Sequence, residues 1–242
     1  HYEERKKLTD TQLEKAEEKL NKKGIKEVIV LYDEDFHEGI VGLIAGRLKE
    51  KYNRPAFIFT KSDDGKNIKG SARSIEGFDV KKNLDKCKDL LLGYGGHAMA
   101  GGLSLKLEDL DKFEDKLIKL AKQLLTEEDY IKKYYYVDML EEKNITMDLI
   151  DELRELEPYG AGFEKPLIRI CNFDVRRVFT MGEEKNHLKL VGEDISLIAW
   201  RQVEHYKKRG KPLKVTALGY PEINVFNNNV NIQFMIDEDN FM

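Results

Sequence analysis

The sequence predicts an α/β domain, a mixed sheet with flanking helices, followed by a small all-β barrel. Two observations carry this prediction. Up to residue 125, segments with helical spacing alternate with β-prone segments. Beyond residue 164, short β-prone runs separated by turns dominate. The 242 residues suffice for about one or two domains at roughly 150 residues each. We therefore expect domains at 1–125 and 164–242, joined by a connector at 126–163.

In the first domain, apolar residues recur at helical spacing in four segments, which predicts helices over 9–23, 38–52, 79–92 and 107–125. Runs rich in Val, Ile and Phe predict strands over 25–32 and 56–60, and alternating leucines predict a short strand over 103–107. A further strand ends at Arg73. Gly39, Gly42 and Gly46 line one side of the second helix and predict that it packs closely on the sheet.

In the last domain, the β-prone runs cover 168–180, 187–191, 195–200, 213–220 and 230–236, with one helical insertion at 202–209. Five short strands with one helix suit an OB-fold barrel. An SH3-like barrel would give a similar pattern, so strand count alone leaves both open.

Charge is unevenly distributed along the chain, whose formal net charge is −4. Residues 165–220 contain twelve Lys or Arg against six Asp or Glu, whereas residues 108–164 contain eight against seventeen. Such asymmetry is typical of a polyanion-binding module beside an acidic connector, although ordinary solvated surfaces would give it too.

The location expected from the sequence is cytoplasmic. Cys87 and Cys171 are far apart and have no neighbouring metal ligands, which favours two reduced thiols. No segment approaches the roughly 18 apolar residues that span a bilayer. The first residues lack an initiator Met and a signal-peptide pattern, so we expect a piece of a longer protein.

Residues 93–102 hold five of the 18 glycines and include Gly95, Gly96 and His97. We expect a loop whose N–H groups form an anion-binding nest, with His97 donating to a phosphate oxygen. A tight turn with a histidine satisfied by the backbone would have the same composition.

Ser71, Arg73 and Ser74 follow a predicted strand and combine a guanidinium with two hydroxyl groups. Since the planar fork of Arg matches phosphate geometry, this segment favours a second phosphate contact. His37 opens the second helix, where free N–H groups attract anions, but a simple capping or packing role fits this residue equally well. Arg47 on the same helix could reach the same site.

No catalytic set for hydrolysis is visible. None of the five histidines has another His or Cys at metal-ligand spacing, and no Asp-His-His, His-Glu-x-x-His or Gly-x-Ser-x-Gly motif occurs. We therefore expect no catalytic residue, metal site or cofactor in this chain.

The last domain combines basic and aromatic residues on predicted strands, as OB-folds do when they hold single strands. Aromatic residues of a small barrel more often belong to its core. The candidates for a nucleic-acid contact here are Arg169, Arg176, Arg177, Lys189, Trp200 and Arg201.

Four motifs in order resemble the DHHA1 domain of the RecJ family, and the later sequence resembles the OB domain of that family. The DHHA1 motifs cover 37–48, 54–55, 70–74 and 95–102, and the OB motifs cover 158–162, 187–190 and 231–234. The order and spacing of these motifs make the resemblance more specific than a single Gly-Gly-His.

The resemblance implies the C-terminal part of an exonuclease that degrades single-stranded DNA from its 5′ end in recombination and repair. It also implies an N-terminal DHH domain, with no counterpart here, that holds manganese or magnesium. Arg73 and His97 would hold substrate phosphate opposite those metals.

Two other functions remain open from the sequence. A DHH-family phosphodiesterase for short or cyclic nucleotides would share the glycine-histidine segment but usually lacks an OB domain. A module that binds repair or replication proteins would explain the acidic connector. We expect single-stranded DNA and the DHH domain as partners, and no membrane.

Overall fold

The structure is a computed structural model that describes residues 2–62, 65–160, 162–227 and 229–241, with side chains from residue 7 to residue 237 of these. The chain divides into two compact units, unit 1 (residues 1–133) and unit 2 (residues 134–242). Within the described ranges, no helix combines the length and apolar character that crossing a bilayer requires.

Unit 1 is built on a five-stranded mixed sheet with the order β1-β2-β3-β5-β4. The β1–β2 pair is parallel and the other three pairs are antiparallel. Its helices and strands are α1 (Tyr2–Lys23), β1 (Ile29–Tyr32), α2 (Glu38–Tyr52), β2 (Ala56–Lys61), β3 (Asn67–Arg73), α3 (Val80–Lys86), β4 (Leu91–His97), β5 (Ala100–Lys106) and α4 (Leu110–Leu124). The predicted α/β fold class is confirmed.

Two apolar cores lie on opposite faces of this sheet, because successive residues of a strand point to opposite sides. Ala56 and Ile58 of β2 pack with α1 and α2 in the first core, which takes its buried residues from those helices, β1, β2 and Phe36. Phe57 and Phe59 pack with Phe113 of α4 in the second core, which also includes residues of β3, β5 and α3. The α2 helix also packs on β3, so this face of the sheet is accessible mainly at β5 and β4.

A buried carboxylate ties α1 to the end of β1. Asp33 is only 6% exposed and lies 2.7 Å from Lys15 Nζ and 2.6 Å from Lys19 Nζ. Burial alone would raise the pKa of Asp33, but hydrogen bonds from both lysines and from the Asp35 N–H outweigh it and lower the pKa to about 2. The first core is thus closed at one end by an ion-paired network.

The helix predicted over 79–92 is wrong in its second half. The α3 helix ends at Lys86, a 3₁₀ turn covers Lys88–Leu90, and β4 begins at Leu91. Leu90 and Leu91 pack against the second core while β4 pairs with β5 along the sheet edge. Apolar spacing over so short a segment fits a helix and a strand equally well.

The glycine-rich loop predicted around His97 is also wrong, because this segment is a β-hairpin. Its strands β4 and β5 pair from Leu91 to His97, and Ala98 and Met99 form the turn. Glycine content predicts loops in general, but here the paired backbone uses its N–H groups within the sheet.

Unit 2 contains a seven-stranded sheet with the order β6-β7-β11-β12-β10-β9-β8. One face of this sheet carries the core, which includes Ile170, Leu190, Leu197 and Phe234. The elements are β6 (Asp138–Leu140), α5 (Met147–Glu155), β7 (Ile168–Asp174), β8 (Arg177–Met181), β9 (His187–Val191), β10 (Ser196–Ala199), α6 (Val203–Lys208), β11 (Lys214–Phe226) and β12 (Asn229–Phe241).

Three features of unit 2 differ from the prediction. The run over 168–180 is two strands, because the chain leaves the sheet at Val175 and Arg176. The β11 and β12 strands form a hairpin longer than the apolar runs suggested. The short β6 strand pairs in parallel with β7 and was not predicted, since three residues give no periodic signal.

Candidate phosphate site and nucleic-acid interface

Arg73 and His97 lie on the same face of the unit 1 sheet, two strands apart. Arg73 pairs with Ala100 on β5, and Ala100 pairs with His97 on β4, so the three residues form one row. Members of a row point to the same side of a sheet, and neighbouring strands lie about 4.8 Å apart, which separates Arg73 and His97 by about 10 Å at the backbone. A shallow trough therefore runs between a guanidinium and an imidazole.

The floor of this trough is backbone. Ser71, Gly102 and Gly95 form the next row on the same face. A Cβ added at Gly95 or Gly102 would meet no atom within 4 Å, so no other residue fills the space above them. A small anion can approach the strands closely there.

Two further glycines of the hairpin are required by close contacts. A Cβ at Gly101 would lie 2.9 Å from Val80 Cγ1, and a Cβ at Gly96, whose φ is +143°, would collide with the Ala100 carbonyl. Gly101 thus lets the hairpin lie against α3 and Gly96 lets its two strands approach at the turn, while Gly95 and Gly102 leave the trough open.

Both histidines use one ring nitrogen in the same way. His97 Nδ1 accepts the Met99 N–H at 3.3 Å, and His37 Nδ1 accepts the Gly39 N–H at 3.1 Å. Because Nδ1 is an acceptor, the neutral imidazole carries its proton on Nε2. Both side chains are exposed, so each offers an Nε2–H donor to an anion.

Arg73 is half-buried, and its Nη1 donates to the Ala72 carbonyl at 2.8 Å. No carboxylate forms an ion pair with Arg73 among the described residues. Its charge is therefore not neutralised by a neighbouring side chain.

Ser74 has a structural role. Its side chain is fully buried, and Oγ donates to the Phe78 carbonyl at 2.5 Å. Its N–H donates to the Met99 carbonyl at 2.9 Å, which joins β3 to the hairpin turn. A hydroxyl committed to the backbone has no proton left for a phosphate, so we leave Ser74 out of the proposed site.

Sequence reasoning missed Lys69, which lies on the same face of β3 as Ser71 and Arg73. Its Nζ lies 2.5 Å from Glu38 Oε2 in the first turn of α2. The alternation Lys69, Ser71, Arg73 along a strand was the signal that could have found it. Arg47 lies on the exposed side of α2, 4.0 Å from Glu50.

In unit 2, aromatic and basic side chains share the sheet face that points away from the core. Phe179, Lys189 and Ile198 form one row across β8, β9 and β10, in which Phe179 is exposed, Lys189 half-buried and Ile198 buried. Arg177, Val191 and Ser196 form the next row. Phe179 is 48% exposed, and the Arg177 guanidinium lies 6.0 Å from its ring centroid. We call this surface the β8–β10 face.

Trp200 follows β10 and extends this face. It is 45% exposed and packs edge-on against the His187 ring, with 4.8 Å between ring centroids. His187 Nδ1 accepts the N–H of Arg201, the residue after Trp200, at 3.0 Å. This hydrogen bond holds the Trp200 backbone beside His187. Trp200 therefore presents an exposed ring in a fixed position.

The remaining candidates of unit 2 lie elsewhere or in other environments. Arg176 pairs with Glu193 at 2.7 Å, and Arg169 on β7 has its guanidinium 5.8 Å from the Tyr136 ring centroid. Phe173 is buried in the core, as the alternative interpretation of the aromatic residues predicted.

No group of three or more His, Cys, Asp or Glu side chains capable of holding a metal occurs in the part of the chain that the structure describes. The donor sets present thus do not fit a metal centre, and we assign no metal-dependent step to them.

Comparison with known proteins agrees with the division of the chain into unit 1 and unit 2. The family model of the DHHA1 domain matches residues 25–123, and that of the RecJ OB domain matches residues 138–238. The single-stranded-DNA-specific exonuclease RecJ of Bacillus subtilis is 30% identical over 97% of this chain, and its Escherichia coli namesake is 32% identical over 69%. The chain spans 30% and 29% of their lengths.

Solved structures give the same relationship. The crystal structure of RecJ from Thermus thermophilus in complex with Mn²⁺ matches with a TM-score of 0.78 and 26% identity, over 97% of this chain and 34% of that one. A structure of the same protein with Mg²⁺ matches with a TM-score of 0.77. The OB-type interpretation of unit 2 is thereby preferred to an SH3-like barrel, and the chain belongs to the RecJ family, of which it contains the DHHA1 and OB domains.

Proposed function

We propose that this chain is the substrate-holding part of a cytoplasmic RecJ-type exonuclease that degrades single-stranded DNA from its 5′ end. The observation that carries the proposal is the row that sets Arg73 opposite His97 over a backbone floor. The RecJ OB match disfavours a phosphodiesterase for short or cyclic nucleotides, because those relatives usually lack that domain.

In this proposal the trough of unit 1 holds a phosphate of the strand. Arg73 donates from its guanidinium, Ser71 from its hydroxyl and His97 from Nε2, so that donors reach the anion from both sides. Gly95 and Gly102 let the phosphate descend to the sheet. His37 at the start of α2 lines a cavity with Thr60 and Lys69, and would be a further donor towards that end of the strands.

The β8–β10 face of unit 2 would hold further nucleotides. Exposed rings at Phe179 and Trp200 offer stacking surfaces for bases, and Arg177 and Lys189 offer charges to the backbone phosphates. Stacking and phosphate contacts of this kind tolerate any base sequence, as an exonuclease requires.

Hydrolysis itself is assigned elsewhere. The resemblance implies a DHH domain that holds the metal ions, and solved relatives contain Mn²⁺ or Mg²⁺. When bound, such ions activate water and stabilise the leaving oxygen. The residues of this chain would bind the phosphate, orient it and offset its charge, so we expect the chain by itself to bind DNA without cleaving it.

A titration tests this proposal. A labelled single strand and the matching duplex are titrated with the chain at about 50 and 200 mM salt. We expect preference for the single strand, and an affinity that falls about 50-fold if about four phosphates are contacted, since each contributes about 0.7 to the salt slope.

An affinity that does not change with salt would contradict the phosphate contacts, and equal affinity for the duplex would contradict the stacking surface. The same samples incubated with manganese should show intact DNA. Robust cleavage by the pure chain would overturn the assignment of hydrolysis to another domain.

A further inference from the structure

The three glycines on one side of α2 have different surroundings, although their spacing predicted one common role in helix-on-sheet packing. A Cβ at Gly46 would meet nothing within 4 Å, and a Cβ at Gly39 would meet only the ring of His37 at 3.3 Å. A Cβ at Gly42 would instead lie 3.2 Å from Arg73 Nη2 and 3.4 Å from Ser71 Oγ. Gly42 alone borders the trough of unit 1.

The space at Gly42 is too small for a methyl group in the present arrangement. Carbon and nitrogen atoms in favourable contact stay about 3.5–4.0 Å apart, so a methyl group at 3.2 Å would push the guanidinium away. The atom that yields is the end of a flexible side chain, whereas the backbone of α2 and β3 stays in place. The guanidinium would have to shift by a few tenths of an ångström, which strains its hydrogen bond to the Ala72 carbonyl.

We propose that Gly42 is a positioning residue for the phosphate site. The absence of a side chain at this position lets Arg73 and Ser71 lie against α2, the position from which they would donate to a phosphate in the trough. Gly42 itself touches no substrate, and it acts through the two donors that do. The inference rests on the proposed function, in which Arg73 and Ser71 contact a phosphate.

Helix propensity separates this role from a role in stability. Ala is a better helix former than Gly, so Gly42→Ala should leave the fold as stable as before or stabilise it. A loss of binding that accompanies unchanged or increased stability is the signature expected of a positioning residue.

The experiment compares Gly42→Ala with Gly46→Ala, which lies about one turn further along the same helix and gains the same propensity. Each full-length variant is titrated with a fluorescent 5′-phosphorylated oligothymidylate, and its Tm is measured. We expect Gly42→Ala to bind about 2- to 12-fold more weakly, the range that a side chain forced about 30° from its rotamer would produce. Gly46→Ala should bind normally.

A larger side chain should increase the effect. Gly42→Val places two more carbons beside the guanidinium and should bind more weakly than Gly42→Ala, while Gly46→Val should bind like the parent chain. A pair of Gly42 variants that bind as well as the Gly46 controls would overturn the inference.

An Arg73→Ala background distinguishes failure of the inference from failure of the proposed function. If Gly42 acts through Arg73, most of the Gly42→Ala effect disappears in that background. An effect of the same size there would overturn the inference while the proposed function stands. If Arg73→Ala alone leaves binding unchanged, the phosphate site is wrong and the role of Gly42 falls with it.

Discussion

The trough of unit 1 and the β8–β10 face of unit 2 are both sheet surfaces, but they differ in the size and polarity of their side chains. The trough has small residues in its middle, at Ala100, Gly95 and Gly102, and polar donors only at its sides. The β8–β10 face has large rings at Phe179 and Trp200 with cations between them. The first surface is shaped for one compact anion, and the second for flat apolar groups joined by charges.

In the proposed function, the two surfaces would divide the recognition of a single strand between them. A phosphate needs close approach and a few directed donors, which a backbone floor permits. Bases need area, which side-chain rings supply. Changes in the two surfaces should therefore differ in their dependence on the 5′-phosphate and on salt.

The largest effect is expected from Arg73→Ala. Loss of a charged hydrogen bond should weaken binding of a short 5′-phosphorylated strand by roughly 1.5–3 kcal/mol, or about 10- to 150-fold. The same strand with a 5′-hydroxyl should lose much less. Fluorescence anisotropy with both strands measures the difference.

Lys82→Ala is the matched control for Arg73→Ala. Lys82 is a cation of unit 1 on α3, which packs on the opposite face of the sheet. Its removal should leave binding nearly unchanged. Equal losses for both variants would mean that overall charge, and not the trough, governs binding in unit 1.

Trp200→Ala should weaken binding of both strands alike, by about 1–3 kcal/mol if one base stacks on the ring. The loss should persist at high salt, since no phosphate contact is removed. Phe226→Ala is the control, because Phe226 is an aromatic residue of unit 2, 68% exposed, that lies outside the β8–β10 face. A loss for Trp200→Ala that vanishes with salt would argue against stacking.

Asp33→Asn tests whether unit 1, which carries the trough, unfolds independently of unit 2, which carries the β8–β10 face. Removing the carboxylate leaves Lys15 and Lys19 without their buried partner and should destabilise unit 1 by about 2 kcal/mol. Asp35→Asn is the control, since Asp35 pairs with the same Lys15 but its side chain is 75% exposed. The sole tryptophan, Trp200, reports unit 2 by fluorescence, while far-UV circular dichroism also follows the helices of unit 1.

The same carboxylate gives a pH dependence. The folded-state pKa of Asp33 is about 2, below its ordinary value of 3.8, so its contribution to stability is present above about pH 4. It is lost as the pH falls towards 2. We expect the circular dichroism transition of the parent chain to shift over this range, and that of Asp33→Asn to shift less. A parallel shift of both would contradict the role of Asp33.

The sequence predicted the fold class, because helical spacing and strand runs are local signals. It also singled out Arg73 and His97 as candidates for a phosphate site, which stays a proposal. It did not predict that these two residues share one row. That fact depends on the register of β3, β5 and β4, and the glycines that form the floor erase the periodic pattern from which a strand is recognised.

The other differences between prediction and structure concern which side chains are buried. Ser71 and Ser74 look equivalent in sequence, yet Ser71 lies on the accessible face while Ser74 bonds to the Phe78 carbonyl inside unit 1. Likewise Phe173 and Phe179 have similar surroundings in sequence, but only Phe179 is exposed. A shift of one residue along a strand reverses which side chains face the solvent, and the amino-acid composition of the segment does not show such a shift.

The alternation of glycines in the β4–β5 hairpin has a consequence for redesign. Gly96 and Gly101 have no room for a methyl group, whereas Gly95 and Gly102 have open space above them. Side chains can therefore be grafted into the trough at two positions without disturbing α3. A labelled thiol or a fluorinated group at either position would lie on the floor of the trough, and its signal would report phosphate binding above it.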